Sequence, residues 1–264
     1  MNSQAEVTTA PGLTIPAPLP VHLPELNGLD LKAQYQAARC GGDFFDAVLT
    51  GDRVVFLLTD IAGDRAEAHP IAAQMQKVFR ATAQELFEPP DANESECIAL
   101  LARDVNRALI ESARGVRVSP TFIGCFNLAV GVLTYHNAGG VTAVFRDEEG
   151  TRLLGSGGIP MGLFTHSTYE PVLLAFDAGS RLLIVTKGVT ESRCGATTFG
   201  VERVEGALEN SDTVSALQIC EDVLREAHDS HNHPWSRVYG FLHPGKRQCR
   251  DDLTAVALVR KPIP

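Results

Sequence analysis

The sequence contains no Cys-x-x-Cys pair; its six cysteines, Cys40, Cys97, Cys125, Cys194, Cys220 and Cys249, are scattered along the chain. Zinc ribbons and redox dithiols need close pairs, so a zinc site built on these residues is not expected. Isolated cysteines read instead as small buried hydrophobes of a reducing compartment. Nor is there a run approaching the roughly 20 apolar residues that a membrane-spanning helix requires. Met1 to Ala10 lacks both the basic start and the apolar centre of a secretion signal, which leads to an expectation of residence in the cytoplasm. Clusters of Lys and Arg are also missing. With a formal net charge of −9 and a pI near 5.4, the chain is a poor partner for nucleic acid or an anionic membrane, whose phosphates demand local basic excess. That acidity leaves room for divalent cations.

What is present suits one large domain: 264 residues, 44% hydrophobic and 21% charged, enough to bury a core. Residues 1–25 carry Pro11, Pro16, Pro18, Pro20 and Pro24. Proline at that density blocks helices and predicts an extended lead-in, too short to fold as a sensor domain. The folded domain is expected over 26–264, with no second linker, repeat or low-complexity segment.

Leu31, Ala33, Tyr35 and Ala37 alternate with polar residues as in a half-buried strand. Strands are predicted next over Phe44–Leu49 and Arg53–Asp60, with Thr50-Gly51-Asp52 as the turn. The period then becomes helical through Ile71, Met75, Val78, Phe79, Thr82 and Leu86, until Pro89-Pro90 stops it. A second helix is predicted from about Glu94 to Ser112. Strand-like runs follow at Phe122–Val130, Leu133–Asn137, Val141–Arg146, Arg152–Leu154, Val172–Phe176 and Arg181–Thr186. Two helices are expected near Gly200–Leu208 and Thr213–Ser230, the second capped by Ser211 or Asp212. Residues 232–250 read as a long loop, and Leu253–Arg260 as a last strand. Hairpin-linked strands with grouped helices imply an α+β architecture of antiparallel sheets covered by helices, not the βαβ alternation of a parallel sheet.

Several aspartates end apolar strands beside turn formers: Asp43, Asp60, and Asp251 with Asp252. A carboxylate there is costly unless something positive meets it. Converging strand-end carboxylates are how proteins hold Mg²⁺ or Mn²⁺, which prefer oxygen ligands. Each alone would serve equally well as a turn cap; their common setting favours a site.

Seven motifs then fall in a familiar order: Gly42-Asp43-Phe44-Phe45-Asp46, Thr59-Asp60-Ile61-Ala62-Gly63, Asn137-Ala138-Gly139, Gly158-Ile159-Pro160-Met161-Gly162, Val185-Thr186-Lys187-Gly188-Val189-Thr190-Glu191, Phe199-Gly200 and Asp251-Asp252-Leu253-Thr254. Over roughly residues 15–262 the chain resembles the PPM-type serine/threonine phosphatases, in the bacterial branch named after stage II sporulation protein E. The resemblance implies an αββα sandwich of two antiparallel sheets flanked by helices. It also implies hydrolysis of phosphoserine or phosphothreonine on proteins, with one or two Mn²⁺ or Mg²⁺ ions activating a water. Carried over, Asp60 would bridge both metals, Asp43 and the backbone carbonyl of Ile61 would complete one, and Asp251 would hold the other. Usual substrates in this branch are phosphorylated anti-sigma-factor antagonists, so control of transcription by partner switching is the implied role.

The chain departs from the pattern in three places. Lys187-Gly188 stands where Asp-Gly, with its metal-ligating carboxylate, is usual. Gly63-Asp64-Arg65 replaces Gly-His-Gly or Gly-Lys-Gly. Gly140 follows Asn-Ala-Gly where His is usual. A protonated ammonium cannot coordinate a metal. Three placements of Lys187 are open: in solvent, in place of the missing ion and paired with Asp60 and Asp251, or against the substrate phosphate as a point charge. Two functions follow, an active phosphatase and a pseudophosphatase that keeps the fold as a binding module. Other signals carry less. Gly41-Gly42-Asp43-Phe44-Phe45 is similar to the Gly-Gly-Asp-Glu-Phe motif of diguanylate cyclases but lacks its second carboxylate. His228, His231 and His233 cluster near a helix end, where dipole and solvent explain them. Gly155-Ser156-Gly157-Gly158 reads as a turn, and Arg39 as a surface residue.

Overall fold

The computed structural model describes residues 18, 21, 23, 25–37, 41–194, 197–209, 215–232 and 251–261. Strands β1 (Leu29–Gln36), β2 (Asp43–Thr50) and β3 (Arg53–Asp60) come first, followed by helices α1 (Arg65–Phe87) and α2 (Glu94–Ser112). Six strands follow: β4 (Thr121–Asn127), β5 (Val132–Ala138), β6 (Thr142–Asp147), β7 (Gly150–Leu153), β8 (Val172–Ala175) and β9 (Arg181–Val185). The chain continues through α3 (Lys187–Thr190), a small hairpin of β10 (Arg193–Cys194) and β11 (Thr197–Thr198), α4 (Val201–Glu209), α5 (Ala216–Asn232) and β12 (Leu253–Arg260).

Local chemistry explains several boundaries. Helix α1 begins at Arg65, ahead of the expected Ile71, because the Asp64 carboxylate accepts the Glu67 amide at 3.0 Å and caps it. Pro70 lies inside this helix and withholds only one backbone donor. Strand β4 stops at Asn127, short of the expected Val130, because the Asn127 side chain accepts the Ala129 and Val130 amides and turns the chain. Helix α5 takes an amide acceptor from a distant strand: Asp30 on β1 receives the Ala216 N–H at 3.0 Å. The caps expected at Ser211 or Asp212, and most of the loop expected at 232–250, lie outside the described residues. The short elements α3, β10 and β11 were not legible as such, being too brief for a periodic signal.

Two five-stranded antiparallel sheets result, one ordered β1-β12-β9-β6-β7 and the other β2-β3-β4-β5-β8. The expected α+β sandwich is the observed architecture, with three apolar layers. Helices α1 and α2 cover the outer face of the β2–β8 sheet through Met75, Phe79, Ile98 and Leu101. Helices α4 and α5 cover the other sheet through Val204, Leu208, Val223 and Leu224. Between the sheets lie Leu29, Leu31, Val54, Phe56, Leu58, Leu182, Ile184, Val256 and Leu258.

Strand parity then fixes where the site must be. Successive side chains alternate faces. Since Val54, Phe56 and Leu58 point between the sheets, so does Asp60; since Leu182 and Ile184 do, so does Thr186. The same counting sends Thr254 and Asp252 inward ahead of Val256, Tyr35 after Leu29 and Leu31, and Asp43 before Phe45 and Ala47. Six polar side chains therefore gather at one end of the apolar inter-sheet layer.

Candidate active site

At that end Asp43 and Asp60 are directly opposed in the β2–β3 register. Like charges so placed repel. Burial, and then the facing Asp60, push the Asp43 carboxyl well above its ordinary value. Hydroxyls from the other sheet oppose that shift: Thr186 Oγ1 and Thr254 Oγ1 each donate to Asp43 Oδ2 at 2.6 Å. Asp43 is thus a bridge between the sheets, and its Oδ1 accepts no bond among the described residues. Asp60 is pushed up to about 6, by burial and then by Asp251, while Lys187 pulls it down. Asp251 is more exposed; burial raises it, Lys187 lowers it, and Glu191 adds repulsion.

Glycines let the backbones converge. A Cβ on Gly42 would sit 2.2 Å from the Ile61 carbonyl oxygen, so only glycine allows that carbonyl to lie against β2. A Cβ on Gly188 would come within 2.0 Å of the Asp252 carbonyl oxygen, which is why α3 can rest on the Asp251-Asp252 corner. Behind Asp60, Thr59 shares buried hydroxyl bonds with Ser119 at 2.6 Å and Thr121 at 2.7 Å. The Asp60 amide donates to the Pro120 carbonyl at 3.0 Å.

Asp43, Asp60, Asp251, Lys187 and the Ile61 carbonyl are thereby brought to one region. The pairing of Lys187 with Asp60 and Asp251 is not formed. Its ammonium lies 3.5 Å from Glu191 Oε2, one helical turn on, with the side chain 56% exposed. The cause is position: Lys187 opens α3, and its long stem reaches along that helix into solvent.

Tyr35 and Arg65 take part from outside the seven motifs, while Thr186, Asp252 and Thr254 lie inside them without an expected ligand role. Asp252 is 2% exposed and accepts from Tyr35 Oη at 2.6 Å and from Arg65 Nη2 at 2.9 Å. Arg65 Nη2 also donates to Tyr35 Oη at 2.9 Å. Counting alternate residues back from the apolar ones would have found all but Arg65.

Residues 50–261 match the family model described as Stage II sporulation protein E (SpoIIE), which is four-fifths of the chain. The chain belongs to the SpoIIE family. A curated relative is Protein IcfG of Synechocystis sp. (strain ATCC 27184 / PCC 6803 / Kazusa), 27% identical over 210 residues, or 69% of this chain and 32% of that protein. The SpoIIE-family chain thus spans about a third of that relative's length. Its fold is similar to the RsbU and RsbW domains of Rv1364c from Mycobacterium tuberculosis, with a TM-score of 0.64, 21% identity, and coverage of 94% of this chain and 64% of that one. It is also similar to the PP2C phosphatase domain, with a fragment of the regulatory domain, of SpoIIE from Bacillus subtilis. There the TM-score is 0.68 at 14% identity, covering 88% of this chain and 63% of that one. The fold is that of the PP2C phosphatase domain of SpoIIE.

The departures from the SpoIIE pattern have local causes. Gly140 follows Gly139 in a turn where both hold positive φ, +74° and +83°, and the Asn137 amide spans it through Val141. A histidine at that φ would be strained. Asp64 serves as the helix cap already described, and Arg65 as the partner of Asp252. The Gly158–Gly162 motif is a brace: Met161 pairs with Ser119, and a Cβ on Gly162 would strike the Arg117 carbonyl oxygen. Gly155–Gly158 form no phosphate loop, since no helix follows. His228 contacts its neighbour Asp229; Arg39 and His233 lie outside the described residues. No helix among the described residues is long and apolar enough to cross a membrane.

The chemistry of these donors suits the divalent ion that the family resemblance implies. Opposed carboxylates with raised pKa values, one of them open at an oxygen among the described residues, are hard donors whose repulsion a cation relieves. They fit one ion at Asp43, Asp60 and the Ile61 carbonyl. Position 187, where the resemblance leads one to expect a carboxylate, instead carries an ammonium turned toward Glu191. Among the described residues no three His, Cys, Asp or Glu side chains stand close enough to share a metal.

Proposed function

We infer that this chain is a metal-dependent phosphatase for phosphoserine or phosphothreonine on a protein, acting in the cytoplasm. By family likeness its substrate is a phosphorylated anti-sigma-factor antagonist in a partner-switching pathway. The observation that carries the reading is the Asp43–Asp60 pair, opposed at the mouth of the inter-sheet layer and held from the other sheet by two threonine hydroxyls. Residues 26–264 form the phosphatase domain on this reading, behind the proline-rich lead-in of residues 1–25.

Asp43, Asp60 and the Ile61 carbonyl would hold Mn²⁺ or Mg²⁺, with Asp251 serving a second position. Bound there, the ion supplies charge stabilisation for the phosphate and a more acidic water. The chain's own groups do the positioning. Thr186 and Thr254 fix one oxygen of Asp43 and, among the described residues, leave the other open. Asp60 is anionic above about pH 6 and so turns from proton holder to cation holder in the neutral range. Lys187, half-exposed beside the acidic pair, presents a cation to an incoming phosphate.

A second reading rests on a specific observation: with Lys187 in place of a carboxylate, the second position lacks a ligand, so the chain serves as a pseudophosphatase and binding module. Phosphate release from an aryl phosphate with Mn²⁺ separates the two, measured for wild type, Asp60→Asn and Lys187→Asp. An active enzyme shows Mn²⁺-dependent release in wild type that Asp60→Asn abolishes. Release by Lys187→Asp alone would establish the pseudophosphatase instead.

A further inference from the structure

The two sheets are tied together at the acidic end by two crossings. One is Asp43 to Thr186 and Thr254. The other joins Asp252 to Tyr35 and Arg65, two residues outside the seven motifs. Tyr35 sits opposite Thr254 in the β1–β12 register, so Asp252 is its diagonal neighbour on the same face, within reach of a phenol. Tyr35 Oη donates to Asp252 Oδ2 at 2.6 Å. Arg65 comes from the opposite half of the sandwich, as the first residue of α1, four residues after Ile61. Its Nη2 lies 2.9 Å from both Asp252 Oδ1 and Tyr35 Oη. Asp252 is 2% exposed, and Gly41 crowds its carboxylate so closely that a Cβ there would lie 1.9 Å from Oδ2. A buried carboxylate held on both oxygens by charged or hydroxyl donors has little freedom.

The chain geometry gives this clamp a consequence. Arg65 is joined through a four-residue turn to Asp60 and the Ile61 carbonyl, and Asp252 is covalently next to Asp251. The clamp therefore fixes the separation between the turn that carries Asp60 and the corner that carries Asp251. In the family pattern a carboxylate at position 187 would share the task of holding a cation beside Asp251; here that position is a lysine turned along α3 toward Glu191. We propose that Arg65, Tyr35 and Asp252 form a positioning clamp that sets Asp251 opposite Asp60 and so preserves cation binding in a chain that has lost the carboxylate at position 187. Arg65 and Tyr35 act through Asp252 and are positioning residues, not ligands. This rests on the metal reading under Proposed function.

The test is Mn²⁺ binding by titration calorimetry on the full chain, with thermal midpoints and aryl phosphate kinetics measured in parallel. Arg65→Met, Arg65→Lys and Tyr35→Phe are compared with wild type. Removing partners that orient metal ligands costs about 10–100-fold in metal affinity. Arg65→Met is expected to weaken Mn²⁺ binding in that range and to lose turnover at low Mn²⁺ that saturating Mn²⁺ restores. Arg65→Lys, which keeps the charge but not the fork, and Tyr35→Phe, which removes one donor, are expected to fall between. Should Arg65→Met fail to fold, the two milder variants carry the comparison. Lowered thermal midpoints with unchanged Mn²⁺ affinity would make the clamp merely structural and overturn this inference alone. No Mn²⁺ binding by wild type would overturn the metal reading, and this inference with it.

Discussion

At Asp43 one carboxylate oxygen receives two hydroxyl bonds of 2.6 Å, from Thr186 and Thr254, while the carboxyl is pushed upward by burial and by the facing Asp60. Each hydroxyl favours the anion, so removing one leaves a buried charge less compensated. Thr254→Val keeps the β-branched shape and deletes only the donor. It is expected to cost about 1–3 kcal/mol in urea unfolding and to weaken Mn²⁺ binding at neutral pH. Unchanged unfolding would show that the hydroxyl contributes nothing net. Asp46 illustrates how the same residue type, three places on, takes another role. It faces the helical layer, is fully buried, and receives Arg80 Nε at 2.6 Å and Nη2 at 3.1 Å. Parity alone separates a structural aspartate from one at the site.

At the scale of elements, the four-residue helix α3 is placed by Gly188, whose missing Cβ lets it rest on the Asp252 carbonyl. Gly188→Ala would demand about an ångström or more of movement, since a carbon cannot sit 2.0 Å from a carbonyl oxygen. The expected outcome is a loss of about 1–3 kcal/mol in stability and a displaced Asp251, read as weaker Mn²⁺ binding. Helix α1 is coupled to sheet β2–β8 through Arg80 and Asp46. Arg80→Ala leaves a buried carboxylate unpaired and is expected to cost about 3 kcal/mol in thermal or chemical denaturation, with Mn²⁺ affinity preserved because this pair lies on the far side of β2.

For the whole molecule, the raised carboxyls make the metal-stripped protein sensitive to pH. Asp60 rises from 3.8 to about 6 in the folded state, and Asp43 and Asp251 shift the same way. A carboxyl whose folded pKa is raised stabilises the fold below its unfolded pKa, and that stability is lost as pH rises through the folded value. In EDTA, Asp60→Asn is therefore expected to melt above wild type at about pH 7.5, with the gap closing below about pH 4. Added Mn²⁺ should reverse the order at neutral pH, because only wild type keeps the carboxylate. Equal melting curves in EDTA at both pH values would show that the acidic pair is not strained.

The sequence by itself determined the α+β class, most strand and helix positions, and the two aspartates that meet across β2 and β3. Those follow from local rules: period-2 and period-3.6 burial, turn residues, and strand-end carboxylates that need a cation. Only the tertiary structure decided that Asp252 is locked by Tyr35 and Arg65, that Thr186 and Thr254 reach Asp43 from the other sheet, and that Lys187 turns toward Glu191. Each joins residues far apart in the chain or depends on which way a long side chain leans. Pairing between strands sets the former and packing at a helix end sets the latter; neither has a local signature in the order of residues.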